Sequence, residues 1–386
     1  MEGDTAEPSV TGAMVAGGHE QVVFVADAAV GLRAIIAVHS TALGPSVGGI
    51  RFWHYPNEQE AVADVLRLSE AMSLKAAVAG LHQGGGKAVV LWDDPHRPRT
   101  EAFLRRLGRA IDELGGRYIA AEDVGATPGD MDGIALETGW VTGVDGPGGS
   151  GDPSPVTAVG VLAAMRAAAE EIDGEPALAG RRVVVQGAGH VGTHLVELLV
   201  DAGASVGVAD IDAERVDALV RDLSVDALAV DAVFEEECDI LAPCALGGVL
   251  NAQTVPRLRC RAIAGASNNQ LADASIDDEL MRRGIVYAPD FVANAGGVIN
   301  IAEEFVGYDP RRALTRAAEI EDTMARVFAL ARELGVAPGR AAETMARRRI
   351  AEEGGGGRWR PGDPAAWTRG EPLRALRPGV ASVKAV

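Results

Sequence analysis

The sequence predicts an α/β fold in two domains, an N-terminal α/β domain followed by a domain with a doubly wound parallel sheet. The chain has 386 residues, of which 47% are hydrophobic, and this exceeds what one hydrophobic core usually supports. Residues 144–155 are dense in glycine and proline, which is typical of a connection between domains. After this connection, short apolar strands alternate regularly with helical patterns, as in a parallel sheet covered by helices.

Hydrophobic periodicity predicts the elements of the first half. Two β-branched runs, 22–25 and 32–38, are separated by a short break and predict an antiparallel hairpin. Residues 58–72 carry apolar side chains at intervals of three and four, so they predict a helix with Asn57 as its N-cap. The next predicted elements are a strand at 87–92, a helix at 100–114 and a strand at 117–121.

The second half has a regular strand–helix alternation. It begins with a predicted helix at 156–172. The elements that follow are a strand at 182–186, a helix at 191–202, a strand at 205–209, a helix at 213–219 and short strands near Ile240, Ala262 and Val286. Helical stretches are predicted at 313–334 and 338–352, and the polar composition of residues 353–386 predicts a loosely ordered tail.

Charge and cysteine content limit the classes of partner. The net charge of −19 and the isoelectric point near 4.8 argue against nucleic acid and anionic membranes as partners. The 3 cysteines form no paired framework and no metal-ligand spacing, which indicates a reducing compartment. Residues 1–18 lack the pattern of a signal peptide, and no apolar run reaches membrane-spanning length. We therefore expect a cytoplasmic protein without a membrane partner.

The run from Lys75 to Lys87 is the most informative stretch, because two lysines flank a triple glycine in apolar sequence. We interpret the glycines as a flexible turn that admits a small ligand, with Lys87 and Asp123 at strand ends. Apolar surroundings lower the pKa of an ammonium group, so the pattern indicates an anion clamp and an acid–base lysine. An ATP-binding phosphate loop would need a glycine and a serine or threonine where the chain has Leu81 and Ala88. A purely structural glycine turn with surface lysines is the remaining alternative.

A dinucleotide-binding pattern follows the predicted strand at 182–186. Three glycines at the spacing G-x-G-x-x-G open a helix, which favours pyrophosphate binding at the helix N-terminus. Asp210 ends the next strand, where its carboxylate would bind ribose hydroxyls and repel a 2′-phosphate, so NAD is favoured over NADP. Arg215 is expected on a solvated helix face, with a phosphate contact as the alternative. The predicted cofactor-binding residues here are Gly187, Ala188, Gly189, His190, Val191, Gly192, Thr193, Asp210 and Ile211.

These motifs and several others resemble the amino-acid dehydrogenase superfamily, and within it the leucine/valine/phenylalanine dehydrogenases. The resemblance extends from about residue 34 to residue 350. It is carried, in chain order, by Leu43–Arg51, Gly84–Lys87, Ala121–Gly125, Asp130–Asp132, Gly151–Thr157, Ala242–Gly247, Ala264–Gln270 and Asn294–Asn300. So many matches in one order are specific, and they imply an NAD-dependent oxidoreductase that acts on the CH–NH2 group of an amino acid.

The resemblance also implies a division of labour between the domains. Residues 1–145, joined by the C-terminal helices from about 325–352, would bind substrate and mediate oligomerisation, so we expect a homo-oligomer. Residues 146–324 would form the NAD-binding Rossmann domain, and the reaction would proceed in the cleft between the two domains. The expected small-molecule partners are an amino acid, its 2-oxo acid and ammonia.

Roles for individual residues are implied by the same resemblance. Lys75 would hold the substrate carboxylate, Lys87 would be the catalytic lysine, and Asp123 would exchange protons with the amino group. For Asp123 the alternative is a helix cap or a turn residue. Other contacts are implied with NAD at Thr157, Cys244, Ala245 and Asn268, and with substrate at Asn269. For the Cys244 thiol we favour a packed, inert side chain over a redox nucleophile.

Specificity is expected from an apolar side-chain pocket. Related glutamate dehydrogenases place a lysine and a serine where this chain has Val47 and Ile301, and a carboxylate left unpaired there would cost several kcal/mol. The implied substrate-binding residues besides Lys75 and Asn269 are Val47, Gly48, Gly49, Ala121, Val298 and Ile301. A branched-chain amino acid is therefore favoured and glutamate disfavoured. Departures from the family pattern at Ile50, Leu74 and Ala76 keep an aromatic substrate open.

Two other classes of protein are competing interpretations. An NAD-binding regulatory protein would have no reason to keep Lys75, Lys87 and Asp123 together. A 2-hydroxy-acid dehydrogenase would need a histidine–carboxylate pair and a substrate-binding arginine, which these motifs do not offer. None of the histidines has metal-ligand spacing, so no metal is expected.

Overall fold

The structure, a computed structural model, describes residues 9–94, 96–144 and 149–354. They divide into two compact units. The first comprises the described residues up to Gly151, the segment Glu304–Tyr308 and the described residues from Arg348 onward. The second comprises Asp152–Glu303 and Asp309–Arg347. No helix of the described residues is long and apolar enough to cross a membrane.

The first unit is built on a five-stranded mixed sheet. Its elements are α1 (Val10–Gly17), β1 (Gln21–Asp27), β2 (Leu32–Ser40), β3 (Ser46–Trp53), α2 (Glu58–Val78), β4 (Gly84–Leu91), α3 (Glu101–Asp112), β5 (Tyr118–Glu122) and α4 (Pro128–Ala135). The strand order is β1-β2-β4-β3-β5. Strand β1 pairs antiparallel with β2, which is the predicted hairpin, whereas β3 runs parallel to both β4 and β5. Asn57 caps α2 as predicted, since its side chain accepts a hydrogen bond from the Glu60 amide.

Helices cover both faces of this sheet because its central strands are apolar on both sides. Ile35 of β2 packs with Val65 of α2 and Val89 of β4 on one face. The neighbouring residue Ile36 points to the opposite face, where it packs in a cluster with Phe103 of α3. The packed sheet thereby supports the side chains of its central strands and of the residues that follow them.

The triple glycine is part of β4, so the prediction of a flexible turn is wrong. Each glycine is required by a neighbouring backbone or side chain. A Cβ on Gly84 would lie 1.8 Å from the Ser40 carbonyl oxygen, and one on Gly85 would lie 2.1 Å from the Ser73 amide nitrogen. Lys87 consequently lies within the strand and not at its end, because close packing against β2 and α2 selects glycine here.

The second unit contains a six-stranded sheet in which every pairing is parallel. The elements are α5 (Ser154–Asp173), β6 (Arg182–Gln186), α6 (His190–Asp201), β7 (Ser205–Ala209), α7 (Ala213–Leu223), β8 (Asp226–Ala227), β9 (Cys238–Pro243), β10 (Cys260–Ile263), α8 (Ser275–Arg282), β11 (Val286–Tyr287), α9 (Asp290–Ala293), α10 (Gly296–Ala302), α11 (Pro310–Ala318) and α12 (Ile320–Leu334), followed by α13 (Pro338–Glu353). The order β11-β10-β9-β6-β7-β8 is the doubly wound arrangement predicted from the sequence.

Some bounds differ from the sequence prediction. The predicted helical stretch 313–334 is two helices, α11 and α12, that meet at Glu319. Residues 325–347, expected with the first domain, lie in the second unit. The reason is that α12 packs on α5, so closely that a Cβ on Gly160 would lie 2.7 Å from Ile320 Cδ1. Strands β3 and β8 and helices α1, α4, α8, α9 and α10 had no predicted counterpart. The predicted tail from residue 355 onward and residues 145–148 of the predicted hinge lie outside the described residues.

Candidate active site

A lysine–aspartate pair lies at the centre of the first unit. Only 5% of the Lys87 side chain is exposed, and its Nζ lies 3.0 Å from Asp123 Oδ1. Asp123 directly follows β5, and β5 and β4 lie on opposite sides of β3. The sheet topology therefore brings together two of the residues that the sequence indicated, although they are far apart in the chain.

The surroundings shift the pKa values of both members of the pair. Burial lowers the pKa of Lys87, and the neighbouring Asp123 carboxylate offsets this effect only in part. Burial by itself would raise the pKa of Asp123, but the Lys87 ammonium and the Arg51 guanidinium outweigh burial and hold that pKa below its usual value. A lysine that releases its proton more easily, next to an ionised carboxylate, is suited to acid–base chemistry.

Two glycines of β3 allow the backbone to pass unusually close to this pair. A Cβ on Gly48 would lie 1.7 Å from the Gly86 carbonyl oxygen, and one on Gly49 would lie 2.5 Å from Asp123 Cβ. The Tyr118 hydroxyl donates a 2.7 Å hydrogen bond to the Gly48 carbonyl and fixes this part of the strand. The residues predicted to contact substrate at positions 48 and 49 thus border the Lys87–Asp123 pair.

Arg51 also contacts this site, although no sequence motif assigned it a role. Its Nε lies 2.9 Å from Asp123 Oδ2, and 19% of its side chain is exposed. The signal available in the sequence was a charged residue placed between two apolar residues, Ile50 and Phe52, both of which are buried. A guanidinium in such a strand must be neutralised by a buried partner.

The other residues predicted to contact substrate are divided between the two units. Lys75 is half-buried near the C-terminus of α2, the helix that packs against β4. Val47 and Ala121 are buried on the adjacent strands β3 and β5. Val298 and Ile301 are half-buried on α10 of the second unit. A single cavity formed by these apolar residues stays a prediction.

The glycine pattern after β6 has the geometry that a dinucleotide needs. Gly187 has a φ of +107°, which disfavours any residue with a Cβ. A Cβ on Gly192 would lie 1.9 Å from the Gly187 carbonyl oxygen, whereas one on Gly189 would meet no protein atom within 4 Å. Helix α6 starts at His190 without a side-chain cap, so its first amides are available to an anion. The chain here fits a pyrophosphate group.

Asp210 is hydrogen-bonded to the glycine turn, and residues of this turn line a cavity. Its Oδ2 accepts a 2.6 Å hydrogen bond from the Ala188 amide and its Oδ1 a 2.8 Å bond from the Asp212 amide. A cavity of about 510 Å³ is lined by Ala188, Gly189, His190, Thr193 and Arg215 among others. Arg215 pairs with Asp212 at 3.0 Å and is mostly exposed. Ile211 is 93% exposed, which leaves an apolar surface beside Asp210.

Three loops at the carboxyl ends of β6, β9 and β10 meet beside the glycine turn. A Cβ on Gly187 would lie 2.9 Å from the backbone of both Cys244 and Ala245, and one on Gly247 would lie 2.6 Å from the Asn268 carbonyl oxygen. Burial raises the pKa of the Cys244 thiol to about 12, which supports a packed side chain over a nucleophile.

Two further predicted residues have well-defined backbone surroundings. Asn269 is exposed and has a φ of +52°, a left-handed conformation that asparagine tolerates better than most residues. The Thr157 hydroxyl donates to the Pro153 carbonyl at 2.9 Å within the first turn of α5. No group of three or more His, Cys, Asp or Glu side chains that could hold a metal ion occurs in the part of the chain that the structure describes.

Comparison with known protein families agrees with both units. Residues 19–139 match the Glu/Leu/Phe/Val dehydrogenase dimerisation domain. Residues 148–218 and 208–352 match the Glutamate/Leucine/Phenylalanine/Valine dehydrogenase domain. The chain belongs to the Glu/Leu/Phe/Val dehydrogenase family. Members of this family are oxidoreductases that use a nicotinamide cofactor.

Individual members of the Glu/Leu/Phe/Val dehydrogenase family are similar over most of their length. The chain is 48% identical to the leucine dehydrogenase of Thermoactinomyces intermedius over 333 residues, covering 86% of this chain and 91% of that protein. It is 51% identical to the valine dehydrogenase of Streptomyces albus, covering 87% of this chain and 93% of that protein. Among solved structures, L-tryptophan dehydrogenase from Nostoc punctiforme has a TM-score of 0.80 at 39% identity, covering 88% of this chain and 98% of that one.

Proposed function

We propose that this protein catalyses the NAD-dependent oxidative deamination of a branched-chain L-amino acid to its 2-oxo acid and ammonium, and the reverse reductive amination. The observation that carries the proposal is the buried Lys87 ammonium group, 3.0 Å from the half-buried Asp123 carboxylate. The pair borders Gly48 and Gly49, where a Cβ would lie 1.7 Å from the Gly86 carbonyl oxygen and 2.5 Å from Asp123 Cβ, respectively.

The chemistry divides between cofactor and protein. NAD, when bound, supplies the acceptor for the hydride that leaves the substrate Cα. Neutral Lys87 then takes a proton from a water molecule while that water adds to the imino carbon. Asp123 exchanges protons with the substrate nitrogen, which leaves as ammonia when the tetrahedral adduct collapses. Amino acid, NAD⁺ and water thus give 2-oxo acid, ammonium, NADH and one proton.

Substrate preference is proposed from the apolar residues of the site. Val47 and Ala121 offer no hydrogen-bond donor, so a second carboxylate would lose its hydration without gaining a partner. The leucine and valine dehydrogenases among the relatives support a branched-chain substrate. An aromatic amino acid is the second candidate, and the similarity to a tryptophan dehydrogenase favours it.

NAD is proposed over NADP because of Asp210. Its carboxylate lies at the end of β7 beside the glycine turn, where it would repel a 2′-phosphate. Arg215, which lines this cavity, is paired with Asp212. We also propose a homo-oligomer, supported by the matched dimerisation domain. Three free cysteines are consistent with action in the reducing cytoplasm.

The decisive experiment is a spectrophotometric screen of the purified protein with leucine, valine, isoleucine, phenylalanine, tryptophan and glutamate, each with NAD and with NADP. We expect reduction of NAD with the branched-chain substrates and little activity with glutamate. Higher kcat/KM for an aromatic substrate would favour the second candidate. Higher kcat/KM for glutamate would refute the pocket assignment, and a preference for NADP would refute the role of Asp210.

A further inference from the structure

Arg51 joins the Lys87–Asp123 pair to a second group of charges on α2. Its Nε contacts Asp123 Oδ2 at 2.9 Å, while its Nη1 contacts Asp64 Oδ2 at 3.1 Å. The Asp123 carboxylate therefore has one oxygen on Arg51 and the other on Lys87. With both oxygens engaged, the carboxylate cannot rotate without breaking a charge-assisted hydrogen bond.

The guanidinium group is itself held in place from the opposite side. The Tyr55 hydroxyl donates to Asp64 Oδ2 at 2.7 Å. Arg67, one turn along α2, contacts Asp64 Oδ1 at 2.7 Å. Asp64 is thus fixed on α2, and Arg51 connects that helix to the aspartate that follows β5. A rigid support of this kind is what a proton-transferring carboxylate needs to keep its orientation.

We propose that Arg51 is a positioning residue for the reaction, fixing one oxygen of Asp123 so that the other remains directed at Lys87. The inference rests on the function proposed above and extends it to a residue that does not contact the reacting atoms. Arg51 does not relay protons, because a guanidinium group stays protonated throughout the range in which enzymes work. It acts through geometry and through its fixed positive charge.

The charge effect has a definite sign. The groups that face the pair are Arg51 from β3, Asp64 from α2, Tyr55 from the segment after β3 and Tyr118 from β5. Beyond the dominant effect of burial, Arg51 lowers the pKa of Lys87, and it also lowers the pKa of Asp123. Removing the charge of Arg51 would raise both pKa values. Amino-acid oxidation needs neutral Lys87, so the rise of its rate with pH would move to higher pH.

The test compares Arg51→Gln, Arg51→Lys and the control Arg33→Gln through the pH dependence of kcat/KM for the best amino-acid substrate. For Arg51→Gln we expect kcat to fall at least about 10-fold and the ascending limb to move up by about one pH unit. Arg51→Lys keeps the charge but cannot contact Asp123 and Asp64 at the same time. The ascending limb of its pH profile should therefore stay near that of the wild type, while kcat falls. Arg33→Gln removes an exposed charge that pairs with Asp93, outside this group of contacts, and it should change neither quantity.

The two Arg51 variants test separate parts of the proposal. If the ascending limb of the kcat/KM–pH profile does not move in Arg51→Gln, the proposed charge effect is wrong. If kcat does not fall in Arg51→Lys, the proposed positioning effect is wrong. Loss of folding in Arg51→Gln would be recognised by its thermal unfolding curve, and Arg51→Lys would then carry the test. A shifted limb in Arg51→Lys would also count against the proposal.

A second readout separates this inference from the function itself. Trace acetylation of Lys87 with acetic anhydride, followed by mass spectrometry across a pH series, reports the midpoint of Lys87 deprotonation without any turnover. If the wild type oxidises no amino acid, the proposed function fails, but the labelling midpoint of Arg51→Gln should still lie above that of the wild type. Equal midpoints would overturn the inference even in an active enzyme.

Discussion

At the residue scale, the chemistry of the site comes from the burial of one ammonium group beside one carboxylate. Lys87 is almost fully enclosed, so its charged form loses hydration and its pKa falls. Asp123 limits that fall but also gives the proton a neighbouring acceptor at 3.0 Å. The pair is therefore poised to transfer protons at pH values where an exposed lysine would stay charged.

Replacing Lys87 by alanine should lower kcat by at least about 10²-fold, because the group that activates water is lost. Binding of NAD should be largely unchanged, since the glycine turn and Asp210 lie in the other unit. Steady-state kinetics and a fluorescence titration with NADH would measure the two effects. Turnover near the wild-type value would contradict the assignment of Lys87.

Lys75→Ala is the matched comparison, since it also removes one lysine charge from the first unit. Its proposed role is to pair with the substrate carboxylate, so we expect a rise in KM of about 10-fold or more. The pH at which the rate rises should stay that of the wild type. An unchanged KM would refute the role of Lys75.

At the element scale, the second and third glycines of the cofactor turn serve different purposes that one substitution each can separate. Gly189→Ala places a methyl group where the protein has no atom within 4 Å, whereas in Gly192→Ala the new Cβ would lie 1.9 Å from the Gly187 carbonyl oxygen. We expect Gly189→Ala to keep its melting temperature but to bind NADH at least about 10-fold more weakly. Gly192→Ala should lower the melting temperature without added cofactor.

Calorimetry without cofactor and a fluorescence titration with NADH are the two measurements for this pair. The opposite pattern would contradict the assignment of the turn. That pattern is a destabilised Gly189→Ala protein and a stable Gly192→Ala protein that binds NADH poorly.

Another element-scale prediction concerns the start of α13, which Asp277 of α8 holds. Asp277 Oδ2 accepts a 2.8 Å hydrogen bond from the Gly339 amide, while the buried Oδ1 has no partner. Burial raises the pKa of Asp277 to about 6. Because the folded-state pKa exceeds the ordinary value, the stability that Asp277 contributes is complete at acid pH and is lost as pH rises through about 6.

Asp277→Asn should remove this loss, on the order of 2 kcal/mol between pH 4 and pH 7. The asparagine oxygen still accepts the bond from Gly339, so the helix start is retained. Denaturant unfolding at several pH values would compare this variant with Asp278→Asn, which removes one charge at a neighbouring, more accessible position. Parallel pH profiles for the wild type and Asp277→Asn would show that Asp277 does not titrate in this range.

At the scale of the whole molecule, the two units divide the proposed tasks. The first carries the lysine–aspartate pair and matches a dimerisation domain, and the second carries the dinucleotide turn. Light scattering during size-exclusion chromatography should give a mass at least twice that of the 39.9 kDa chain. A species of 39.9 kDa at micromolar concentration would contradict the proposed homo-oligomer.

The sequence by itself determined the features that depend on neighbours in the chain. The turn after β6 and the cap of α2 could be predicted because strand, turn and helix signals are contiguous there. The motif order and the lysines 75 and 87 likewise pointed to the family. Tertiary structure decided what depends on residues far apart in the chain. The triple glycine is part of a strand because the backbones of Ser40 and Ser73 lie where a Cβ of Gly84 or Gly85 would be. Arg51 likewise contacts Asp123, 72 positions away, only because the order of the strands brings β3 beside β5.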